Sequence, residues 1–328
     1  MKNGKKIFGT LIIPAMVLIV CLIIAAVQGV TLFDSTLSWT IFFRAMANVV
    51  LVTFALSINL NSGRFDFSIG SIALLSSALS AQITLNYGLG PIAMLLLSVF
   101  FGGLLGLLSG TVYVASKLPP IIVSLGIALF YEGMSFTITG GHGVTFANNT
   151  DLLAFANIRN YLIVTIIALI AMIVIFDYTR FGYEYKSLVS GQRVAVNTGI
   201  REIPNALICY TIAGMLMGAQ GFISATNNGS ITMSLNFGSI SPMFMAFLPM
   251  FIGGFIGRFS NDKLGYLLGA LSSAVISLTY VRLDVPSSTQ QIVSACLMVL
   301  FLIYLNNENE IKKIFKKLSK ENNAQACI

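Results

Sequence analysis

The stretch Asn59-Leu60-Asn61-Ser62-Gly63-Arg64-Phe65-Asp66-Phe67-Ser68-Ile69-Gly70 separates two long apolar runs, Thr40 to Leu60 before it and Phe67 to Leu85 after it. Amides, an arginine, a carboxylate and two glycines do not belong between two such runs without a reason. An ionised aspartate at the centre of a membrane helix costs about 2.5–3.5 kcal/mol on insertion scales, so Asp66 must be paired, sit at a helix end or face a water-filled path. Asp66 and Ser68 suit the N-terminus of the following helix, where unpaired N–H groups and the dipole favour them. The segment Gly63 to Gly70 also suits a break that lines a passage, because irregular backbone at membrane depth survives only where protein or water satisfies it. The two readings are compatible.

Composition fixes the class. With 56% hydrophobic and 9% charged residues and a mean hydropathy of +0.87, a chain of 328 residues cannot wrap its apolar surface inside a water-soluble fold. A helix needs about 20 apolar residues to cross the hydrocarbon core. Runs that meet this lie near 8–29, 38–60, 66–86, 90–115, 120–139, 160–177, 204–225, 242–257, 264–281 and 288–305, the eighth being short and glycine-rich. The expected fold is an all-α polytopic membrane protein of about ten transmembrane helices with broken or re-entrant segments. Residues 1–306 read as one transmembrane domain and 307–328 as a basic tail on the inner surface.

Charge gives an independent check. With the N-terminus inside and ten spans, all but three of the 19 basic residues fall on inner segments. Arg159 and Arg282 are outside, and Arg44 lies within the second run. This asymmetry follows the positive-inside rule and places both termini inside the cell. Topology thus accounts for the net charge of +7 without a nucleic-acid partner. The run after Lys6 is too long for a cleaved leader and reads as a retained first helix. The four cysteines are scattered, with no spacing suited to a disulfide framework or a metal site.

Arg44 is read as reaching the outer interface, or as pairing with Asp66 or Glu132. Gly102, Gly106 and Gly110 share one helix face and allow close helix packing. Lys117-Leu118-Pro119-Pro120 breaks the chain on the inner side. Glu132, in the middle of the next run, is a functional candidate unless a structural partner holds it. His142 is the sole histidine and sits in the longest outer loop, where it reads as solvated. On the inner side, Gln192 to Ile200 reads as a short helix ending near Gly199, a docking surface for a cytoplasmic partner or an anchor to anionic lipid. Gln220 lies on the following span, Asn227-Asn228-Gly229-Ser230 to Ser241 reads as an outer loop or re-entrant turn, and Gly253 to Phe259 as another inner break. No Gly-x-x-x-x-Gly-Lys-Ser/Thr loop, Gly-x-Ser-x-Gly elbow or His-Glu-x-x-His helix is present. Transport is the natural reading of a polytopic chain with a few isolated intramembrane polar groups.

Ser62-Gly63-Arg64-Phe65-Asp66-Phe67-Ser68-Ile69-Gly70-Ser71 resembles the Gly-x-Asp-Leu-Ser-Val-Gly-Ser signature of permease subunits of ribose-type ABC importers. Gly106-Leu107-Leu108-Ser109-Gly110, Lys117-Leu118-Pro119-Pro120-Ile121-Ile122-Val123-Ser124-Leu125-Gly126 and Thr139-Gly140-Gly141 are similar to further family segments, in the same order. Phe181-Gly182 with Ala195 and Thr198-Gly199-Ile200 resembles the loop that docks the ATPase. The resemblance spans about 40 to 300. Arg193-Val194-Ala195 departs from the family's Glu-Ala-Ala, and Arg258 to Lys263 replaces a glycine-rich run. These departures imply a compensating ATPase or the divergent member of a permease pair.

The resemblance implies a non-enzymatic transport subunit that dimerises with a second copy or paralogue. It would sit on a cytoplasmic ATP-binding subunit that carries ATP and Mg, and receive a solute from an extracytoplasmic binding protein. This chain itself would bind no cofactor. A monosaccharide such as ribose is the expected solute. Asn59, Asn61, Asp66, Ser68, Gln220, Asn227 and Asn228 are the candidates for the solute pathway. Arg193, Ala195, Gly199, Ile200 and Arg201 are the candidates for ATPase coupling. A nucleoside or branched-chain amino acid importer, or an ion-coupled secondary transporter using Asp66 or Glu132, are the alternatives.

Overall fold

A computed structural model describes residues 2–307. The basic tail expected over 307–328 therefore lies, apart from Asn307, outside the described residues. Two units are distinguished, Met1–Asp284 and Val285–Ile328. The second contains one described helix, α12 (Ser287–Asn306), which starts after Pro286 and has the length and composition of a membrane span.

The first unit contains α1 (Lys2–Val27), α2 (Thr36–Asn61), α3 (Ile69–Tyr87), α4 (Pro91–Ser116), α5 (Pro120–Ile138), α6 (Thr150–Ala154), α7 (Ile158–Tyr178), α8 (Arg180–Asn197), α9 (Glu202–Asn228), α10 (Ser241–Gly257) and α11 (Asp262–Arg282). Strands β1 (Val144–Thr145) and β2 (Ser230–Ile231) pair antiparallel. Nine helices among the described residues are long and apolar enough to span a membrane, and the 17-residue α10 is a shorter apolar helix. The protein is an all-α, multi-pass integral membrane protein.

Local chemistry sets the helix ends. Pro91 and Pro120 sit in the first turns of α4 and α5, where a missing N–H costs nothing. Asn157, Thr179 and Asn261 cap α7, α8 and α11 through their side-chain oxygens. Because α7 joins them, α6 and α8 lie at opposite ends of the bundle, here called the α6 end and the α8 end.

Helices α2, α3 and α9 form the centre, with about two-thirds of their apolar windows buried, whereas α1, α4, α5 and α7 expose isoleucine, leucine and phenylalanine on one side. Those exposed faces suit lipid. The glycine face on α4 packs against α9 as the spacing requires. A methyl group at Gly102 or Gly106 would strike the carbonyl of Gly214 or Tyr210, and one at Gly218 would strike that of Ser98. Ser98 Oγ donates to Gly218 O at 2.7 Å across the same seam.

The inner break expected over Gly253 to Phe259 is present at Arg258 and Phe259, and only its first part is corrected. Gly253, Gly254 and Gly257 lie inside α10, and the helix ends only at Arg258. The physical reason is close packing, since added methyl groups at Gly265 and Gly269 of α11 would strike the carbonyls of Gly253 and Pro249. Asn227 and Asn228 likewise belong to the last turn of α9 rather than to a loop. Helix α10 is about 25 Å long, short of the roughly 30 Å core. The chain reaches its start through residues 232–240, which enter the bundle and touch α3 and α5.

Candidate functional site

Between α2 and α3 the helical run is broken over residues 62–68, as the polar stretch predicts. Gly63 adopts a φ of +74°, and the Arg64 N–H closes back on Asn59 O at 2.9 Å. Asp66 is buried in the bend. Its Oδ1 accepts from Ser68 N at 2.8 Å and Ser68 Oγ at 2.6 Å, and its Oδ2 accepts from Asn59 Nδ2 at 3.2 Å. Ser68 makes no side-chain cap to α3, so the simple capping picture is corrected. Asp66 instead fixes the bend two residues ahead of the helix and ties it back to α2.

This knot extends through hydroxyl groups. Ser68 Oγ lies 3.5 Å from Ser109 Oγ of α4, and Ser109 bonds Tyr131 Oη of α5 at 3.2 Å. Tyr131 in turn donates to Leu105 O at 2.9 Å. With its Nδ2 turned toward Asp66, Asn59 presents Oδ1 on its other side, buried and without a hydrogen-bond partner in the protein. Asn59 and Asp66 line a small cleft with Ala55, Leu56, Phe65 and Phe247. Phe65 and Phe247 stack at 5.3 Å between centroids.

The segment before α10 meets this bend. A methyl group at Gly70 would strike the carbonyl of Ser239. Glu132, thirteenth of the nineteen residues of α5, turns its carboxyl onto the same segment. Its Oε2 accepts from Phe237 N at 3.0 Å, and its Oε1 accepts from Ser239 N at 2.8 Å and Ser239 Oγ at 2.5 Å. A buried carboxylate that accepts main-chain N–H groups just ahead of a helix satisfies both its own lone pairs and the helix dipole. Of the two readings of Arg44, the pairing with Asp66 or Glu132 is not what the structure shows. Arg44 lies fifteen residues before Asn59, about 22 Å along α2, and donates to Ala156 O at 2.6 Å near the α6 end.

Of the remaining pathway candidates, Asn61 adjoins the bend at the end of α2 and the others lie apart from it. Asn61 Nδ2 bonds Tyr266 Oη of α11 at 2.6 Å. Gln220 Nε2 bonds Asn48 Oδ1 at 2.8 Å, linking α9 to α2. Asn227 and Asn228 are exposed at the last turn of α9. His142 is exposed at the α6 end.

At the α8 end, the short helix expected over Gln192 to Ile200 is the second half of α8. The two halves are separated at Gly191, whose φ of −179° and ψ of 86° are extended. The helix closes at Gly199, φ +94°, with Ile200 N bonding Ala195 O at 3.2 Å and Gly199 N bonding Val196 O at 3.0 Å. That is a Schellman closure, which demands a left-handed residue at Gly199. Ala195 is buried, while Arg193 and Arg201 are exposed. Tyr185 Oη of the first half donates to Ile58 O at 2.9 Å, directly below the bend. Glu202 bonds Gln192 Nε2 at 2.7 Å and lies 3.8 Å from the buried Arg64.

Sequence reasoning read Asn227 to Ser241 as an outer loop or re-entrant turn but missed the hold of Glu132 on Ser239, and it missed Tyr185, Tyr266 and Glu202. Each acts through a contact across more than a hundred residues of chain, which local spacing does not encode.

The geometry can be set beside known proteins. The chain is 25% identical over 282 residues to a fructose import permease protein of Rhizobium meliloti, covering 81% of this chain and 77% of that one. It is 25% identical over 272 residues to a galactofuranose transporter permease protein of Escherichia coli K12, covering 78% and 76%. A solved chain described as an inward-facing conformation of a metal-chelate type ABC transporter superposes with a TM-score of 0.52 at 13% identity, covering 89% of this chain and 98% of that one; it shows the fold alone. Residues 40–302 match the family described as branched-chain amino acid transport system / permease component, the same extent that the sequence motifs span, and the protein belongs to that family of ABC transporter permeases.

Proposed function

We propose that this protein is the membrane permease of an ATP-driven importer for a small uncharged polyhydroxyl solute, a monosaccharide. One observation carries the choice of solute. Buried helix N-termini are the usual cradle for a substrate carboxylate in membrane transporters. Here the chain's own carboxyls hold the N–H groups at both breaks, Asp66 ahead of α3 and Glu132 ahead of α10. The cationic Arg64 beside the cleft faces Glu202 and Ser62 instead. An amino acid would find no partner for its carboxylate. The cleft is closed here, with Phe65 and Phe247 stacked on each other; once transport opens it, a sugar would offer hydroxyl donors to Asn59 Oδ1 and Asp66, and an apolar ring face to either ring.

In this reading the α8 end faces the cytoplasm of a bacterial cell, and so do both termini. An ATP-binding subunit carrying ATP and Mg docks on Arg193 to Arg201, a second permease completes the passage, and a binding protein delivers solute at the α6 end. The positive-inside asymmetry and the import permeases of fructose and galactofuranose among the relatives support it. ATP binding to the partner moves the second half of α8, and the motion reaches the α2–α3 bend. Residues 1–306 act as the permease, with Asn59, Asp66 and Ser68 at its gate.

Uptake competition tests the solute. Labelled ribose or fructose uptake in cells expressing the complete transporter should be displaced by unlabelled monosaccharides and not by leucine. Displacement by leucine alone would assign the amino acid role instead.

A further inference from the structure

Glu202 opens α9 at the point where the second half of α8 and the α2–α3 bend approach each other. A single oxygen, Oε1, serves both neighbours. It accepts from Gln192 Nε2 at 2.7 Å and faces Arg64 Nη2 at 3.8 Å. Gln192 is the first residue after the kink at Gly191. Arg64 is 4% exposed and lies inside the bend itself.

Both ends of this link lead somewhere. Arg64 N closes on Asn59 O at 2.9 Å, and its Nη1 donates to Ser62 Oγ at 3.3 Å. Ser62 Oγ donates to Asn59 O at 2.9 Å, and Asn59 holds Asp66. The first half of α8 is secured separately, by Tyr185 on Ile58 O and by Lys186 on Asp177 at 2.6 Å. The second half has fewer such ties. Of residues 192–197 Ala195 is buried and the others are exposed, and Gln192 Nε2 donates to Glu202.

We propose that Glu202 is the positioning residue through which the second half of α8 controls the α2–α3 bend. A buried guanidinium needs its counter-charge, so Arg64 follows Glu202. The Gln192–Glu202 bond is exposed and of ordinary strength, so a displaced α8 breaks it readily and frees Glu202 to close on Arg64. The bend is then drawn toward α9, and with it the Asn59–Asp66 pair. This inference rests on the importer reading, because it needs a partner that moves α8.

The test uses the complete transporter, copurified with its ATPase and reconstituted in liposomes, with ATP hydrolysis and sugar uptake measured together. Glu202→Gln keeps an acceptor for Gln192 and removes the charge facing Arg64. Gln192→Met removes the bond from the other side at similar volume. Each should lower uptake per ATP by about threefold or more while hydrolysis continues, and the double variant should be no worse than either single one. Unchanged uptake per ATP in either variant would overturn the proposal, and so would multiplying effects. A parallel fall in both rates with a lower unfolding midpoint would reduce Glu202 to a structural role and overturn it too. Absence of any ATPase from the wild-type preparation would instead sink the importer reading, which is seen before a variant is made.

Discussion

Gly70, in the first turn of α3, lies directly against the main-chain carbonyl of Ser239, so the two interruptions of the membrane helices are in contact with each other. The contact leaves no room for a side chain. Gly70→Ala should therefore push residues 237–240 away from α3 at a cost of about 1–3 kcal/mol, and transport should fall. Gly126→Ala is the control, because a methyl group there meets nothing within 4 Å and alanine favours a helix. Uptake and detergent unfolding midpoints of the two variants should move in opposite directions or differ by several degrees; equal behaviour would mean the two breaks move independently.

Asp66 separates two sets of bonds, Ser68 on Oδ1 and Asn59 on Oδ2. An amide accepts on one side and donates on the other. Asp66→Asn keeps an acceptor for Ser68 but removes the charge, and it holds Asn59 only if that amide flips to present Oδ1, so the buried bonds weaken by about 1–3 kcal/mol or less. The expected result is a protein that still inserts and is recovered in detergent but transports poorly. Uptake equal to wild type would leave Asp66 a structural tie between the bend and α2 and remove it from the gate.

Gly199 holds a φ of +94° that proline cannot adopt and that other residues adopt at a cost. Gly199→Pro should unwind the last turn of α8 and leave the membrane helices in place. ATP hydrolysis by the complex should lose its stimulation by the solute-loaded binding protein. Retained stimulation would place the docking surface elsewhere than Arg193 to Arg201.

At the α6 end, Asp34 is paired with Arg282 and accepts from Ser38 Oγ at 2.9 Å. The Arg282 hydrogen bond first, then that of Ser38, holds its carboxyl at about 2, below the ordinary 3.8. A lowered folded-state value means the stabilisation is present above the ordinary range and is lost as pH falls from 3.8 through about 2. The stability difference between wild type and Arg282→Gln should thus stay constant between about pH 5 and 8 and shrink below pH 4. A difference that changes near neutral pH would assign the dependence to another group.

The broad fold was legible because membrane insertion imposes simple rules on sequence. Runs of about 20 apolar residues, the basic bias of alternate connections and the glycine face from Gly102 to Gly110 each follow from a local requirement. The bend at 62–68 was legible for the same reason, since Asp66 and Arg64 have no tolerable place inside a plain span. What stayed hidden depends on partners far away in the chain. Nothing near Glu132 announces that it holds Ser239, and nothing near Gly253 announces that α11 packs closely enough to keep a glycine-rich run helical. The short helix expected over Gln192 to Ile200 was legible, but the Gly191 kink and the Glu202 contact needed the folded chain.

The roles assigned to the bend and to α8 require this protein to work as the permease of an ATP-driven importer. Mass spectrometry of what copurifies with the tagged chain in mild detergent tests that most directly. The prediction is a reproducible complex containing an ATP-binding subunit and a second permease, either another copy or a paralogue. Recovery of this chain alone, with uptake in liposomes driven by a proton gradient and not by ATP, would contradict the account and make it a secondary transporter.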